Sequence, residues 1–206
     1  MCSSDLPWNS GPNAAACGVP LSVFQCPSQP TVQTQDFEGI PARQHCNYLG
    51  CASGIRTRES GPSPVVGDPQ VDGVLFQNSQ VRIADVRDGT STTLLLGEAV
   101  FDLESRGIDP VGNSQAVDHW YLGSTDELNG INTSECLGSA AIKINLYRLR
   151  GLDDIESKEL SFSSYHPGGA ALSFVDGHVD FVRDTIDQRI LQAWGTRAGG
   201  EIASPD

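Results

Sequence analysis

The stretch SYHPGGAALSFVDGHVDFV, residues 164–182, combines the residue types that acid–base catalysis or metal binding would use. It holds two of the four histidines of the chain, His166 and His178, together with the carboxylates of Asp176 and Asp180. A histidine and a carboxylate within hydrogen-bond reach could form a catalytic dyad, and the same side chains could ligate a metal ion. A third interpretation is that these residues only shape two strands, and geometry decides among the three.

The dipeptide Asp176-Gly177 predicts the two-residue type I′ turn of a β-hairpin, because these residues accept positive backbone angles. His166 then lies near the start of the first strand, roughly six to eight residues from the turn at about 3.3 Å each, so it cannot touch Asp176. With this register four apolar side chains share one face: Leu172, Phe174, Val179 and Phe181. A shift of one residue would place half of this apolar set in water. The predicted hairpin therefore indicates that Asp176 and Gly177 form a turn and are not catalytic.

Other signatures of chemistry are missing from the sequence. It contains no G-x-S-x-G, no H-E-x-x-H, no G-x-x-x-x-G-K and no calcium-loop pattern D-x-[DN]-x-[DN]-G. The hydroxyl-rich DGTSTT, residues 88–93, is typical of a turn. A hydrolase that uses His166 or His119 with a nearby carboxylate is an alternative that the hairpin geometry disfavours. We therefore predict that the protein is not an enzyme.

The elements that must position these residues are predicted mainly after residue 70. Four strands, 73–78, 92–100, 170–175 and 178–182, predict an antiparallel sheet with the apolar run of 92–100 at its centre. A C-terminal helix, capped by Asp184 and ended by Gly195, has an apolar face of Ile186, Ile190, Ala193 and Trp194. Residues 1–70 are rich in Pro, Gly, Ser and Cys, which predicts long irregular loops. The predicted fold is a single α+β domain over residues 1–206.

The amino-acid composition disfavours some classes of binding partner. Thirteen Lys and Arg residues stand against 26 Asp and Glu, and the resulting net charge of −13 disfavours nucleic acids and anionic membrane surfaces. No run of 18 apolar residues is present, so the chain as given is predicted to be soluble. Trp120 and Tyr121 are candidate contacts for a polysaccharide ligand, although a Trp-Tyr pair is more often packing.

The six cysteines form an even set at positions 2, 17, 26, 46, 51 and 136. An even number favours an oxidising compartment, and Cys46 and Cys51 are candidates for a small disulfide loop. The remaining pairings stay open, because connectivity does not follow from spacing.

Several segments together resemble the DUF1559 group of prepilin-like proteins with an H-X9-DG motif, which is abundant in planctomycetes. His166 and Asp176-Gly177 match that motif. The order of the other segments is also similar: FQCPSQP (24–30), NYLGCASG (47–54), IADVRDGTSTTLLLGEA (83–99) and the closing Gly199-Gly200-Glu201.

The resemblance implies a pilin-like head domain, part of a type IV pilus or a type II secretion (pseudopilin) assembly outside the cytoplasm. His166, Asp176 and Gly177 are then structural motif residues, and the partners are other pilin or pseudopilin subunits. In such proteins a hydrophobic N-terminal helix anchors the chain in the membrane, and this helix is absent from the sequence given. Calcium is a candidate ion because related pseudopilins bind it, but spacing names no ligand set and no other cofactor is expected. A carbohydrate-binding or adhesion module is the second function class.

Overall fold

The computed structural model describes residues 11–30, 35–37, 40–58, 71–76, 78–108, 114–120, 135–149 and 154–201. Within these ranges three short 3₁₀ helices connect the regular elements, at Ser22–Phe24, Ile83–Asp85 and Leu146–Arg148. The helices and strands of these ranges, in chain order, are α1 (Gly11–Cys17), β1 (Gln35–Phe37), β2 (Ile40–Arg43), β3 (Tyr48–Ser53), β4 (Leu94–Glu98), β5 (Asp102–Ile108), β6 (Ser114–Val117), β7 (Leu137–Ser139), α2 (Ile155–Leu160), β8 (Gly169–Phe174), β9 (Val179–Arg183) and α3 (Gln188–Trp194).

A five-stranded sheet with the order β7-β3-β4-β8-β9 forms the centre of the fold. Strand β4 is its middle strand, as the apolar run of residues 92–100 predicts. The pairs β3/β4, β4/β8 and β8/β9 are antiparallel, as predicted for the strands near 92–100, 170–175 and 178–182. Strands β3 and β7 are parallel, so the sheet as a whole is mixed. Two smaller sheets pair β1 with β2 and β5 with β6. The predicted α+β class is confirmed.

The predicted strand at 73–78 is wrong. Strand β3 pairs with the central strand β4 instead. Residues 73–76 carry no strand; instead Gly73 donates its amide to the Ala52 carbonyl, and Val74 and Leu75 both donate to the Cys51 carbonyl. A Cβ on Gly73 would lie 2.4 Å from the carbonyl carbon of Ala52. This segment therefore crosses closely over the end of β3 without a regular ladder.

The β8/β9 hairpin forms, but its register differs by one residue from the prediction. Phe174 donates its amide to the His178 carbonyl and accepts one from Gly177, so the loop has three residues, 175–177. Only Gly177 requires the positive angle, at φ +92°. Because of this one-residue shift in register, the side chains of Val179 and Phe181 are exposed, at 61% and 53%. The buried face consists instead of Ala170, Leu172, Phe174 and Val182.

The main core lies between the inner face of the sheet and α3. Trp194 packs edge-on against Phe174 with ring centroids 5.4 Å apart, and Leu191 is fully buried beside them. Helix α3 begins three residues later than expected, since Asp187 caps it by accepting the amide of Arg189 at 2.8 Å. Gly195 follows the last helical residue as predicted. None of the helices in the described ranges has the length and apolar character that crossing a bilayer requires.

The candidate disulfide between Cys46 and Cys51 is not formed, and both thiols are free and buried. Five Cα-to-Cα steps of mostly extended chain place the two cysteines about 16 Å apart, and a disulfide needs Cα atoms within about 7 Å. Burial raises the pKa of the Cys46 thiol to about 11 and that of Cys51 to about 12. Both are therefore unreactive thiols in the folded chain.

Candidate functional site

Three side chains with ligand or nucleophile chemistry meet on the face of the sheet opposite the main core. Cys26 follows the 3₁₀ helix Ser22–Phe24, Glu98 is the last residue of β4, and His166 lies in the loop before β8. Glu98 reaches this face because neighbouring residues of a strand alternate between its two sides, and Gly97 pairs with Leu172 on the inner side. We call these three residues the Cys-Glu-His cluster.

The reactive atoms of the cluster form a nearly equilateral triangle. The Cys26 sulfur lies 3.5 Å from Glu98 Oε1 and 3.5 Å from His166 Nε2, and that nitrogen lies 3.3 Å from the same Glu98 oxygen. Cys26 and Glu98 are buried, whereas the His166 side chain is 37% exposed. Solvent therefore reaches the triangle from the histidine side.

Neighbouring groups hold each member in place. The backbone amide of Ala171 donates to Glu98 Oε2 at 2.6 Å, which leaves Oε1 for the triangle. Ser28 Oγ lies 3.3 Å from His166 Nδ1 and fixes the outer side of the imidazole ring. The amide of Cys26 donates to Asn47 Oδ1 at 2.9 Å. The cluster is thus tied to three neighbouring strands: to β3 through Asn47, to β4 through Glu98 and to β8 through Ala171.

Electrostatics keep the cysteine protonated when no cation is near. Burial raises the pKa of the Cys26 thiol, and the Glu98 carboxylate adds to the effect. The pKa of Tyr48 is raised as well, by burial first and then by the charges of Cys26 and Glu98. A positive ion between sulfur and carboxylate would reverse both effects.

Two kinds of chemistry use a thiol, an imidazole and a carboxylate together. In a cysteine nucleophile the thiolate is favoured by a lowered pKa, whereas burial raises the pKa of the Cys26 thiol. The second use is metal ligation by sulfur, nitrogen and oxygen, the ligand types that zinc takes in proteins. Within the described ranges this is the one group of three His, Cys, Asp or Glu side chains that could hold a metal ion.

The H-X9-DG motif residues do not meet. His166 lies at the cluster, whereas Asp176 lies in the loop at the far end of β8, as the hairpin geometry predicts. Asp176 accepts the amide of His178 at 3.1 Å, and its Oδ1 also lies 2.6 Å from His178 Nδ1. The His178 ring stacks on Phe174 at 4.3 Å. Asp176 and Gly177 therefore shape the hairpin loop.

The other candidate site residues lie away from the cluster. Trp120 is 1% exposed, donates Nε1–H to Asp118 Oδ2 at 2.8 Å and packs under the Arg43 guanidinium, which favours packing over ligand contact. Tyr121 lies outside the described residues. His119 is fully buried, with Nδ1 2.9 Å from the Val100 carbonyl oxygen, so it too is part of the interior.

The sequence does not predict Cys26 and Glu98 as partners of His166. They lie 140 and 68 positions before it in the chain, so no local spacing pattern connects the three residues. One signal was available in the sequence. The segments FQCPSQP, LLLGEA and SYHPGG each belong to the same series of motifs, and each contributes one ligand-type side chain to the cluster.

A family model described as "Protein of unknown function (DUF1559)" matches residues 1–189, and the quoted motifs lie almost entirely within that range. No curated protein and no solved structure matches the chain. Because the family model covers most of the sequence, the chain belongs to the DUF1559 family.

Proposed function

We propose that the protein is a structural subunit of a pilus-like or type II secretion-like assembly outside the cytoplasm, and that it catalyses no reaction. One observation carries the proposal: the family-motif side chains of Asn47, Asp88 and Thr93 hydrogen-bond main-chain groups and thereby fix the shape of the head. Such use is expected of a building block, whereas a catalytic motif would direct its side chains toward a substrate.

Asn47, from the NYLGCASG motif, illustrates this use. It is buried and accepts the Cys26 amide through Oδ1, while its Nδ2 donates to the Ala99 carbonyl at 3.0 Å and to Gln29 Oε1 at 2.8 Å. One side chain thus joins three motif segments. Its hydrogen-bonding groups are fully used inside the protein.

Asp88, from the IADVRDGTSTT block, does the same at the C-terminal end. Its carboxylate accepts the amides of Gly199 at 2.6 Å and Gly200 at 3.0 Å. Thr92 Oγ1 donates to the Asp88 carbonyl at 2.6 Å, and Thr93 Oγ1 donates to the Gly89 carbonyl at 2.9 Å. These hydroxyls shape a turn, as expected for DGTSTT, and the block holds the closing Gly-Gly-Glu segment against the sheet.

The edge strand β9 gives independent support. It has β8 as its one sheet neighbour among the described strands, and it presents Val179 and Phe181 to solvent. Exposed apolar residues on an open sheet edge favour pairing with another chain. In the proposed assembly this edge contacts another subunit of the same class.

The alternative of a carbohydrate-binding module has no support from the described residues. A sugar ring stacks on an accessible aromatic face, and the Trp120 ring is buried under Arg43. A glycan array with the purified chain checks this alternative directly, because binding to a surface polysaccharide would restore it.

N-terminal processing in the native host tests the proposed assembly. We expect the mature protein, expressed from its own complete gene, to carry an N-terminus generated by a prepilin peptidase and to co-purify with sheared surface filaments or pseudopilus components. Release as a free monomer after cleavage of an ordinary secretory signal would overturn the proposal.

A matched pair of surface substitutions sharpens the test. Val179→Asp places a charge on the open edge and should reduce recovery of the protein in the assembled fraction. Ile83→Asp changes an apolar residue that is similarly exposed, at 67%, but belongs to the 3₁₀ helix Ile83–Asp85 and not to β9, and should leave recovery unchanged. Equal behaviour of the two variants would argue against β9 as the contact.

A further inference from the structure

We propose that Cys26, Glu98 and His166 bind one divalent transition-metal ion of the zinc class, with a fourth coordination position open to solvent. The ion would fasten the segment 22–30 to the sheet. This inference rests on the geometry of the Cys-Glu-His cluster and does not depend on the proposed role in an assembly.

The spacing of the three ligand atoms fits a single tetrahedral centre. With zinc bonds of about 2.3 Å to sulfur, about 2.05 Å to nitrogen and about 2.0 Å to oxygen, tetrahedral angles place sulfur and nitrogen about 3.6 Å apart, sulfur and oxygen about 3.5 Å, and nitrogen and oxygen about 3.3 Å. The corresponding distances in the cluster are 3.5, 3.5 and 3.3 Å. All three edges of the triangle therefore agree with one zinc ion bound at these bond lengths.

Hydrogen bonds also connect the three side chains, since the Cys26 thiol donates to Glu98 Oε1 at 3.5 Å and its sulfur lies 3.5 Å from His166 Nε2. A histidine that donates to a carboxylate usually lies about 2.7–2.9 Å from it. His166 Nε2 and Glu98 Oε1 are 3.3 Å apart. This separation is the one that two ligands of a common zinc ion would adopt.

Groups next to the three ligands are placed to act as the outer coordination shell of a bound ion. When Nδ1–H of His166 donates to Ser28 Oγ, the lone pair of Nε2 is directed at the triangle, as a metal-bound imidazole requires. The Ala171 amide holds Glu98 Oε2, so that Oε1 is the free ligand atom.

Charge and protons balance without any oxidant or reductant. Binding of M²⁺ forms bonds to sulfur, nitrogen and oxygen, and the Cys26 thiol releases its proton to solvent. The thiolate and the Glu98 carboxylate together neutralise the ion, so a buried triangle carries no net charge. Calcium does not suit this set, because calcium takes oxygen ligands and the cluster supplies sulfur and nitrogen.

Direct metal titration tests the inference on the full chain. Chelator-treated protein is titrated with Zn²⁺ in competition with a chromophoric chelator, and bound metal is counted by elemental mass spectrometry. We expect one zinc per chain. Cys26→Ser, Glu98→Gln and His166→Gln should each weaken binding by more than about 100-fold, whereas Ser28→Ala, an outer-shell change, should weaken it by about 10- to 100-fold. Calcium in large excess should not compete.

Matched controls separate this cluster from other ligand-type residues. Cys46→Ser removes another buried thiol and His178→Gln removes an imidazole between two aspartates, and both variants should keep full zinc binding. Co²⁺ added to the wild-type chain should give a thiolate-to-cobalt charge-transfer band, which reports on sulfur ligation even if a cluster variant fails to fold. Absence of zinc binding, absence of this band, or loss of zinc in the controls would overturn the inference.

Discussion

Replacing Asn47 with alanine should be among the most destabilising single changes at the cluster. The side chain accepts the Cys26 amide and donates to the Ala99 carbonyl and to Gln29 Oε1, with distances of 2.8–3.0 Å. Asn47→Ala removes all three hydrogen bonds at once. The Cys26 amide and the Ala99 carbonyl then lose their partners in a buried site.

The expected loss is about 3 kcal/mol of the free energy of unfolding. Each buried main-chain group left without a partner costs about 1–3 kcal/mol, so two of them give about 2–6 kcal/mol. The segment around Cys26 is only partly buried, so water can replace some of the lost bonds, and the value falls in the lower half of this range.

Asn47→Asp distinguishes hydrogen bonding from packing, because it keeps the size of the side chain. Its carboxylate can still accept the Cys26 amide, but it faces the Ala99 carbonyl and Gln29 Oε1, which are both acceptors. We therefore expect Asn47→Asp to destabilise the fold to a similar extent as Asn47→Ala.

Urea unfolding followed by circular dichroism measures both variants, with a chelator present so that a bound metal does not contribute. Gln192→Ala, on the half-buried side of α3, is the control and should change stability by less than about 0.5 kcal/mol. If Asn47→Asp were as stable as the wild type, the volume of the side chain and not its hydrogen bonds would hold the three segments together, and the reasoning would be refuted.

Three further predictions concern the scaffold. Gly97→Ala should destabilise the fold by about 1–3 kcal/mol, because its Cβ would lie 2.4 Å from Phe162 and 2.6 Å from Leu172, both fully buried; an unchanged melting temperature would contradict this. Gly177→Ala should cost about 1–2 kcal/mol through backbone strain alone, and Gly177→Asn less, as measured by urea unfolding. Burial lowers the pKa of His119 from 6.5 to about 4. Because the unfolded chain binds a proton there first, stability should fall by about 3 kcal/mol as the pH decreases from 6.5 to 4, and His119→Gln should remove this dependence.

The elements that sequence predicts correctly are those with local signals. The apolar run of β4 indicates a central strand by itself, and Asp176-Gly177 indicates a hairpin loop. The predicted hairpin register is wrong because Asp-Gly fits both a two-residue and a three-residue loop. The two loops differ in whether the aspartate, as well as the glycine, needs a positive φ angle. The two-residue loop is expected because it places four apolar residues on one face of the hairpin. In the structure two of these residues, Val179 and Phe181, are exposed to solvent.

Strand β3 was missed because its identity depends on distant partners. Its sequence, YLGCAS, contains a glycine and a cysteine, which weaken a strand pattern and suggested a disulfide loop instead. The strand is stabilised by pairing with β4 on one side and with β7, in parallel, on the other. Gly50 and Gly138 allow close packing there, since an added Cβ would meet neighbours at 3.0 Å. No local pattern encodes such contacts.

The cluster depends on the same non-local pairing, and this explains why it could not be predicted from spacing. The β4/β8 register sets Glu98 beside Ala171, and the loop that carries His166 enters β8 only a few residues earlier. Asn47, directly before β3, holds Cys26 next to them. A slip of one residue between β4 and β8 would turn Glu98 to the opposite face and dissolve the triangle. The positions of the three ligands therefore depend on the register of β3, β4 and β8 and not on their spacing along the sequence.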